Sequence, residues 1–206
     1  MMQMWQFERD AAIQGFQSIA GVDEAGRGPL AGPVVSAAVI FPARLELKDD
    51  LARITDSKKL TEKQRLKLFP VIQSTALCVA TGIASHEEID RINILQASLL
   101  SMKRAVDLLD KQPDCLLIDG KFTIDSPVHQ RAVVKGDSKS VSIAAASIIA
   151  KVTRDAMMAD FHRKYPEYGF IKHKGYPTKA HKAAILEHGP CPIHRLSFNG
   201  VKGIGQ

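Results

Sequence analysis

The amino-acid sequence predicts a single α/β domain, and three observations support this prediction. Short runs rich in Val, Ile and Ala lie in the first two thirds of the 206-residue chain, with stretches of helical spacing between them. The last quarter is basic and has a helical pattern. Gly and Pro residues are scattered instead of gathered into a linker, and no internal repeat stands out. Hydrophobic residues make up 45% of the chain, which is enough for a substantial core.

Five strands are predicted from the apolar runs. Ser18–Val22 and Pro33–Phe41 are neighbouring runs separated by a Gly and Pro cluster, and Leu77–Ala84 is a third run of this kind. Asp114–Asp119 is a compact apolar run that ends in a carboxylate and is followed by a glycine, and Ala132–Lys135 ends just before a Gly-Asp pair. The last two runs are therefore predicted to be buried strands with acidic tips.

Four longer helices are predicted from apolar residues that recur at helical spacing: Thr61–Phe69, Asn93–Asp110, Ser142–Tyr165 and Thr178–His188. Ser85 and Glu88 have the spacing of a capping box just before the second helix. Thr178 is a suitable N-terminal cap for the last helix, and Gly189 is a suitable end. Pro70 interrupts an otherwise continuous helical pattern, so we expect a kink or a restart there.

Charge and cysteine content narrow the class of protein. The chain has 28 Lys and Arg against 22 Asp and Glu, a net charge of +6, which favours nucleic acid as a partner ahead of acidic lipid. Cys78, Cys115 and Cys191 are far apart and odd in number, which indicates reduced thiols instead of a disulfide framework or a zinc site. Met1–Asp10 lacks the apolar core of a signal peptide, and no apolar run is long enough to cross a membrane. We therefore expect a cytoplasmic protein.

Four acidic residues stand at the ends of predicted strands. Asp23 and Glu24 follow the first strand, Asp119 ends the fourth, and Asp137 comes just after the fifth. Carboxylates that meet in a desolvated place repel one another and raise their own pKa values, unless divalent cations neutralise the charge. The recurrence of acids at strand ends therefore predicts a metal site.

Such a site would suit phosphodiester hydrolysis. Mg²⁺ prefers oxygen ligands and keeps several waters, so a few carboxylates and a substrate phosphate are enough to place two ions about 3.5 to 4 Å apart. One ion lowers the pKa of the attacking water and the other stabilises the leaving oxygen. The alternative is structural, because an isolated Asp-Gly at a strand end is more often a turn. An Asp-Glu pair within an apolar strand is harder to dismiss, since one of the two acids must face a covered layer and needs a partner there.

Seven short blocks of the chain carry a further signal: Gly21–Pro29, Asp56–Leu60, Leu117–Gly120, Lys135–Ser138, Ala150–Asp155, His173–Thr178 and His194–Phe198. In their order and spacing, these blocks resemble bacterial ribonuclease HII. The likeness covers nearly the whole chain, from about Ser18 to Phe198, and so many blocks in series argue against a chance match.

The resemblance implies an RNase H-like fold, with a central mixed sheet flanked by helices, in one catalytic domain spanning residues 1–206. The helical, basic C-terminal part would begin at about residue 165. The resemblance also implies cleavage of the RNA strand of RNA/DNA hybrids and incision 5′ of ribonucleotides embedded in duplex DNA, leaving 5′-phosphate and 3′-hydroxyl ends. The catalytic metal ligands of the family fall on Asp23, Glu24, Asp119 and Asp137. We expect two Mg²⁺ or Mn²⁺ ions, with Asp23 between them and Asp137 beside the ion that activates water.

Substrate contacts also follow from the resemblance. Gly26, Arg27 and Gly28 match the family element that contacts the nucleotide at the RNA to DNA junction, and Tyr176 matches the tyrosine that stacks beside it. The chemistry suits these roles, because glycines let the main chain approach a sugar and test for a 2′-hydroxyl, while an arginine can hold a phosphate. Alone, Gly-Arg-Gly is a weak turn signal and a Tyr before Pro usually serves packing. The segment Ile171–Lys182 around the tyrosine, however, is basic and contains no acid.

Lys58 and Ser147 are further candidates for substrate contact. Lys58 and its neighbour Lys59 are placed to reach a phosphate, and Ser147 and Lys151 lie on the predicted helix after Asp137, where they could line the substrate groove. The structural alternative is strong for these residues. Lysines are most often surface residues, and a serine on an Ala-rich helix face commonly serves close packing.

Two other functions fit the same residues. A non-catalytic RNA/DNA-binding protein would use the basic surface and keep its acids for structure, whereas an integrase-like DNA strand-transfer enzyme would share the acidic cluster but ignore the sugar. Within the resemblance, type HIII enzymes carry a long N-terminal extension and a different sequence around the first acidic pair, so the intact Gly26–Gly28 element favours type HII. We expect a monomer that binds RNA/DNA hybrids and ribonucleotide-containing duplex DNA.

Overall fold

The computed structural model describes residues 2–43, 45–46, 48 and 50–204. The centre of the fold is a five-stranded sheet made of β1 (Ile19–Ala25), β2 (Val34–Ile40), β3 (Cys78–Ala84), β4 (Cys115–Asp119) and β5 (His129–Val133). The strand order is β3-β2-β1-β4-β5. β2 runs antiparallel to both of its neighbours, while the pairs β1–β4 and β4–β5 are parallel. The predicted α/β fold with a central mixed sheet is confirmed.

Among the described residues, six α-helices accompany the sheet: α1 (Gln6–Ile13), α2 (Glu62–Thr75), α3 (His86–Asp107), α4 (Val141–Lys164), α5 (Phe170–His173) and α6 (Lys179–His188). Side chains cap the starts of α2, α3 and α6, and two of these caps, Ser85 and Thr178, are predicted from the sequence. Thr61 and Ser85 each form a complete capping box, and the Thr178 side chain accepts from the His181 main chain. In the part of the chain that the structure describes, no helix is long and apolar enough to cross a membrane.

The predicted restart at Pro70 is wrong, because α2 continues through this residue as far as Thr75. Pro70 has no N–H to donate to the carbonyl of Leu66, but Leu66 is 56% exposed, so water can satisfy that carbonyl. The break lies in α3 instead, at Asn93, where φ is 67°. The Asn93 side chain accepts from the main chain of Leu95 and Gln96, and therefore caps the second segment of α3.

Helices cover both faces of the sheet. Ala37 and Val39 of β2 pack into the apolar cluster that α4 shares with α2. Ala38 and Ile40, the alternating residues of the same strand, pack into the cluster that contains α3. A third cluster joins Leu30, in the connection between β1 and β2, to the C-terminal helices through residues that include Phe170 and Ile185. The C-terminal part is thereby attached to the loop that follows β1.

One close approach places α4 against β1. A Cβ added at Gly21 would collide with the main chain of Ser142 and Ile143 at the start of α4. Gly21 and Asp23 are two residues apart in a strand, so they face the same side of the sheet. The missing side chain at Gly21 therefore lets α4 lie directly over the face that carries Asp23.

Candidate active site

Strand pairing brings the predicted acids to one edge of the sheet. Val22 of β1 lies opposite Ile118 of the parallel strand β4, so the next residues, Asp23 and Asp119, are neighbours where the two strands end. Asp137 lies in a short 3-10 helix after β5. The main-chain N–H of Gly136 donates to Asp119 Oδ1 at 2.7 Å, and this bond ties the 3-10 helix to the tip of β4.

The cluster carries an excess of negative charge in a covered place. Asp23 is 2% exposed and Asp137 is 6% exposed. Burial raises the pKa of Asp23 well above its usual range, and the carboxylates of Glu24 and Asp119 raise it further. Burial also raises the pKa values of Glu24 and Asp137, and Asp119 contributes to both increases. Asp119 therefore lies within electrostatic reach of each of the other three carboxylates.

Two exposed basic side chains accompany these acids. Lys58 Nζ lies 3.6 Å from Asp137 Oδ2, and its side chain is 77% exposed. Although partial burial acts to lower it, the pKa of Lys58 is raised by the carboxylates of Asp23 and Asp137. Arg27 Nη1 lies 3.4 Å from Glu24 Oε1 with about half of its side chain exposed. Both cations are free to turn toward an anionic substrate because neither side chain is packed in the core.

Ser147 lies beneath the acids and does not line an open groove as predicted. Its side chain is 3% exposed and its hydroxyl is 2.7 Å from the hydroxyl of Ser57. A hydrogen bond from Ser147 also lowers the pKa of Asp23, although burial dominates the net shift. The other support is the Glu24 main-chain N–H, which donates to Asp23 Oδ1 at 2.7 Å. Ser147 is therefore a buried neighbour of Asp23 instead of an exposed groove residue.

The donor set suits a hard divalent cation. A cleft of about 350 Å³ is lined by Asp119 and Asp137 together with Asp56, Lys58 and Lys59. The cluster offers carboxylate oxygens without His or Cys, which is the ligand chemistry of Mg²⁺ and Mn²⁺. Within the described ranges, no three His, Cys, Asp or Glu side chains are already drawn together as a closed cation cage. Cation binding would therefore require the carboxylates to turn inward, which would relieve their mutual repulsion.

Two buried arginines, neither of them predicted to have a role, hold the loop after β1. Arg195 donates to the carbonyls of Gly26, Arg27 and Gly32. Arg154 donates to the carbonyls of Pro33, Ala31 and Lys174. Burial lowers the pKa of Arg195 to about 9 and that of Arg154 to about 10. The only signal for these arginines is their place in two of the matching blocks, since an isolated Arg in a sequence is usually a surface residue.

Tyr176 lies beside this loop. A Cβ added at Gly28 would be 3.5 Å from Tyr176 Cε1, so the ring flanks the glycine, and Tyr176 is 42% exposed. Gly175, the preceding residue, accepts from the Leu30 main chain at 2.8 Å. Arg27, Gly28 and Tyr176 therefore form one surface, which begins three residues after Glu24, while Gly26 is buried beneath it against the Arg154 side chain.

A chain of buried histidines stands behind Tyr176. The main-chain N–H of Cys191 donates to His194 Nδ1 at 2.9 Å, so Nε2 carries the proton of a neutral His194. His194 Nε2 lies 3.0 Å from His181 Nε2, and His181 Nδ1 is 2.9 Å from the Tyr176 carbonyl. Each ring therefore donates in the direction of Tyr176. Burial lowers the pKa of His194 to about 4, and the neighbouring His181 adds to the shift.

Comparisons with known proteins agree on one family. The family model described as Ribonuclease HII matches residues 20–201. The ribonuclease HII of Geobacter sulfurreducens is 56% identical over 199 residues, which cover 97% of this chain and 90% of that protein. The crystal structure of the ribonuclease H2 from Pyrococcus horikoshii matches with a TM-score of 0.74 and 28% identity, over 89% of this chain and 95% of that one. A ribonuclease HIII named Bst-RNase HIII, solved in complex with Mn²⁺, shares the fold with a TM-score of 0.67 and 22% identity, over 90% of this chain and 68% of that one.

Proposed function

The chain belongs to the ribonuclease HII family of nucleases, and from this premise we propose that it hydrolyses the RNA strand of RNA/DNA hybrids and incises duplex DNA 5′ of an embedded ribonucleotide. The products would carry 5′-phosphate and 3′-hydroxyl ends. One observation carries the proposal: Asp23, Asp119 and Asp137 come from separate parts of the chain and meet beside the Gly26–Gly28 loop. An acidic cluster suits hydrolysis of a phosphodiester, and a main-chain surface beside it suits recognition of a sugar.

Asp23, Glu24, Asp119 and Asp137 would hold Mg²⁺ or Mn²⁺, probed most simply with Mn²⁺. When bound, two such ions would supply an activated water and stabilise the leaving oxygen. The protein prepares two of these ligands in advance. Asp23 accepts from the Glu24 N–H, and Asp119 accepts from the Gly136 N–H. These two hydrogen bonds leave less conformational freedom to lose when the carboxylates turn toward a cation.

The basic side chains would hold the nucleic-acid backbone. Lys58 and Arg27 are exposed and each is paired with one acid of the cluster. Once cations neutralise those acids, both side chains are released for phosphate oxygens. Tyr176, with its ring beside Gly28, offers a flat face for a sugar or a base next to the cleavage point.

The decisive experiment uses two duplexes of the same sequence, one all DNA and one with a single ribonucleotide. With Mn²⁺ or Mg²⁺ present, we expect incision of the second duplex alone, on the 5′ side of the ribonucleotide. Incision of both duplexes would indicate a strand-transfer type of nuclease that ignores the sugar. Binding of the second duplex without incision would favour a non-catalytic binding protein. Either result would overturn the proposal.

A matched pair of variants tests the acids. Asp119→Asn removes one carboxylate oxygen but keeps an acceptor for the Gly136 N–H, so we expect a folded protein without incision. Asp110→Asn is the control, because Asp110 is exposed and precedes the opposite end of β4. Circular dichroism and the melting temperature establish that both proteins fold. Incision by the Asp119→Asn variant at the wild-type rate would show that Asp119 is not a catalytic residue.

A further inference from the structure

Arg195 is an unusual residue to bury. It is 0% exposed, and its guanidinium donates to three main-chain carbonyls: Nη2 to Gly26 at 2.6 Å, Nη1 to Arg27 at 3.0 Å and Nε to Gly32 at 2.9 Å. No Asp or Glu of the described residues forms an ion pair with it. Removing an unpaired cation from water costs several kcal/mol. Because burial of the Arg195 side chain is costly, we expect it to do more than fill space in the core.

The direction of these bonds fixes two peptide groups. No peptide bond in the described ranges is cis, and in a trans peptide the C=O and the following N–H point in opposite directions. Because the carbonyls of Gly26 and Arg27 point inward to the guanidinium, the N–H groups of Arg27 and Gly28 must point outward. Neither N–H donates to a protein acceptor in the part of the chain described here. Gly28 is exposed, with only the ring of Tyr176 close to its open side.

We infer that Arg195 is the positioning residue of ribonucleotide recognition, because it turns the N–H groups of Arg27 and Gly28 toward an acceptor oxygen of the bound ribonucleotide. The inference rests on the proposed function. The acceptor is the 2′-oxygen or an oxygen of the adjacent phosphate, since both accept from a main-chain N–H. Two donors held in advance discriminate better than flexible side chains, because no freedom is lost when the acceptor arrives.

The second buried arginine separates this role from general anchoring of the loop. Arg154 donates to the carbonyls of Ala31, Pro33 and Lys174, and although its side chain packs against Gly26, it forms no hydrogen bond with the carbonyls of Gly26 or Arg27. The main-chain N–H of Arg195 also donates to Leu30, a bond that survives any change of side chain. Arg195→Lys therefore removes the fork of donors and leaves the rest of the anchorage in place.

The test compares three duplexes that differ at one nucleotide: a ribonucleotide, a 2′-fluoro nucleotide, and a ribonucleotide with a methylphosphonate on its 3′ side. The scissile phosphate is unchanged in all three. For wild type and Arg195→Lys, kcat/KM is measured on each, and the preference for the unmodified ribonucleotide is taken as a ratio. Loss of folded enzyme lowers all rates equally and cancels in this ratio, which a purely structural role would leave unchanged. We expect about a tenfold smaller preference in the variant, equivalent to about 1.4 kcal/mol.

The modified duplex for which the preference changes identifies the acceptor oxygen. A smaller preference over the 2′-fluoro duplex assigns the donors to the 2′-oxygen, and a smaller preference over the methylphosphonate duplex assigns them to the phosphate. Arg154→Lys, the matched loss of a buried guanidinium, should keep more of both preferences than Arg195→Lys does. Equal ratios for wild type and Arg195→Lys in both arms would overturn the inference. If wild type cuts none of the duplexes, the proposed function fails instead.

A second pair of variants keeps the test open if Arg195→Lys does not fold. Gly28→Pro deletes one of the two N–H groups and leaves Arg195 intact. Gly28→Ala keeps the N–H and adds a Cβ at ordinary contact distance from Tyr176. Gly28 does not have a left-handed φ, so neither substitution introduces the backbone strain of a side chain at positive φ. Gly28→Pro should lose more of the preference than Gly28→Ala. Equal preferences in the two variants would argue against recognition of the ribonucleotide by these main-chain N–H groups.

Discussion

Acidification should destabilise the protein through His194. This residue is 1% exposed and neutral, with Nδ1 accepting from the Cys191 main chain and Nε2 donating to His181. Burial, with help from His181, lowers its pKa from 6.5 to about 4. A histidine whose pKa is lowered by folding makes its full contribution to the free energy of unfolding above pH 6.5, the pKa in the unfolded chain. This contribution is lost as the pH falls toward 4, because the unfolded chain binds the proton at a higher pH than the folded protein does.

The size of the effect follows from the two pKa values. Protonation of the unfolded state between pH 7 and pH 5 lowers the free energy of unfolding by about 2 kcal/mol through this residue alone. Other groups titrate in the same range. Burial also depresses the pKa values of His173 and His181, which act in the same direction, while the raised pKa values of the acidic cluster act in the opposite direction. The pH profile of wild type therefore does not isolate His194.

The variant His194→Gln isolates the residue, because it removes one titrating group and leaves the acidic cluster unchanged. Urea unfolding of both proteins at pH 7 and pH 5 gives four free energies of unfolding. The variant should be the less stable protein at pH 7, since the His181 and Cys191 partners lose an optimal bond. Its deficit should shrink by about 2 kcal/mol at pH 5. A deficit of the same size at both pH values would refute the assignment of a neutral, buried His194.

Three further perturbations have defined outcomes. Asp23→Asn removes a buried charge that its neighbours disfavour, so the metal-free protein should melt at a higher temperature, while the stabilisation of wild type by Mn²⁺ in thermal scans should disappear. Gly21→Ala should cost about 3 kcal/mol or more in urea unfolding, because the new Cβ meets main-chain atoms of α4 that cannot rotate away. Glu88→Gln weakens a paired carboxylate whose pKa is lowered to about 2, chiefly by hydrogen bonds from Arg104. It should cost about 1 kcal/mol at pH 7, and acid titration should show this difference disappearing as the pH falls from 4.5 to about 2.

The features that could be predicted from sequence are local ones. Apolar runs indicate β1 to β4, of which β1, β2 and β4 are mostly buried on both faces, and capping residues indicate the starts of α3 and α6. β5 was predicted at Ala132–Lys135 but is His129–Val133, and Lys135 has left-handed backbone angles. This edge strand alternates between exposed and covered residues, so its polar first half has no apolar signal. The sequence also gives little indication of helix α1, since this helix is only eight residues long and half of them are polar.

The acids of the site were recognised because each lies next to a strand end. Their meeting was a hypothesis, since it depends on the parallel pairing of β1 with β4, and these strands are far apart in sequence. Ser147 shows the limit of this reasoning. A serine on an Ala-rich helix gives no indication of which face it occupies, and the structure places it beneath Asp23 instead of in the groove.

The role of Arg195 cannot be predicted from the sequence, yet it explains how the Gly26–Gly28 loop is held beside the acidic cluster. Arg195 bonds to Gly26 and Gly32 across 169 and 163 residues, so only the folded chain reveals the partner of a side chain that reads as a surface cation. Gly26 is only two residues from Glu24, and β1 ends between them. The distance from the outward N–H groups to the acids is therefore set by main chain and not by side-chain rotamers. An enzyme built in this way would measure the position of the ribonucleotide against the scissile phosphate with a short, rigid piece of backbone, and the segment after α6, which carries Arg195, would hold this piece in place.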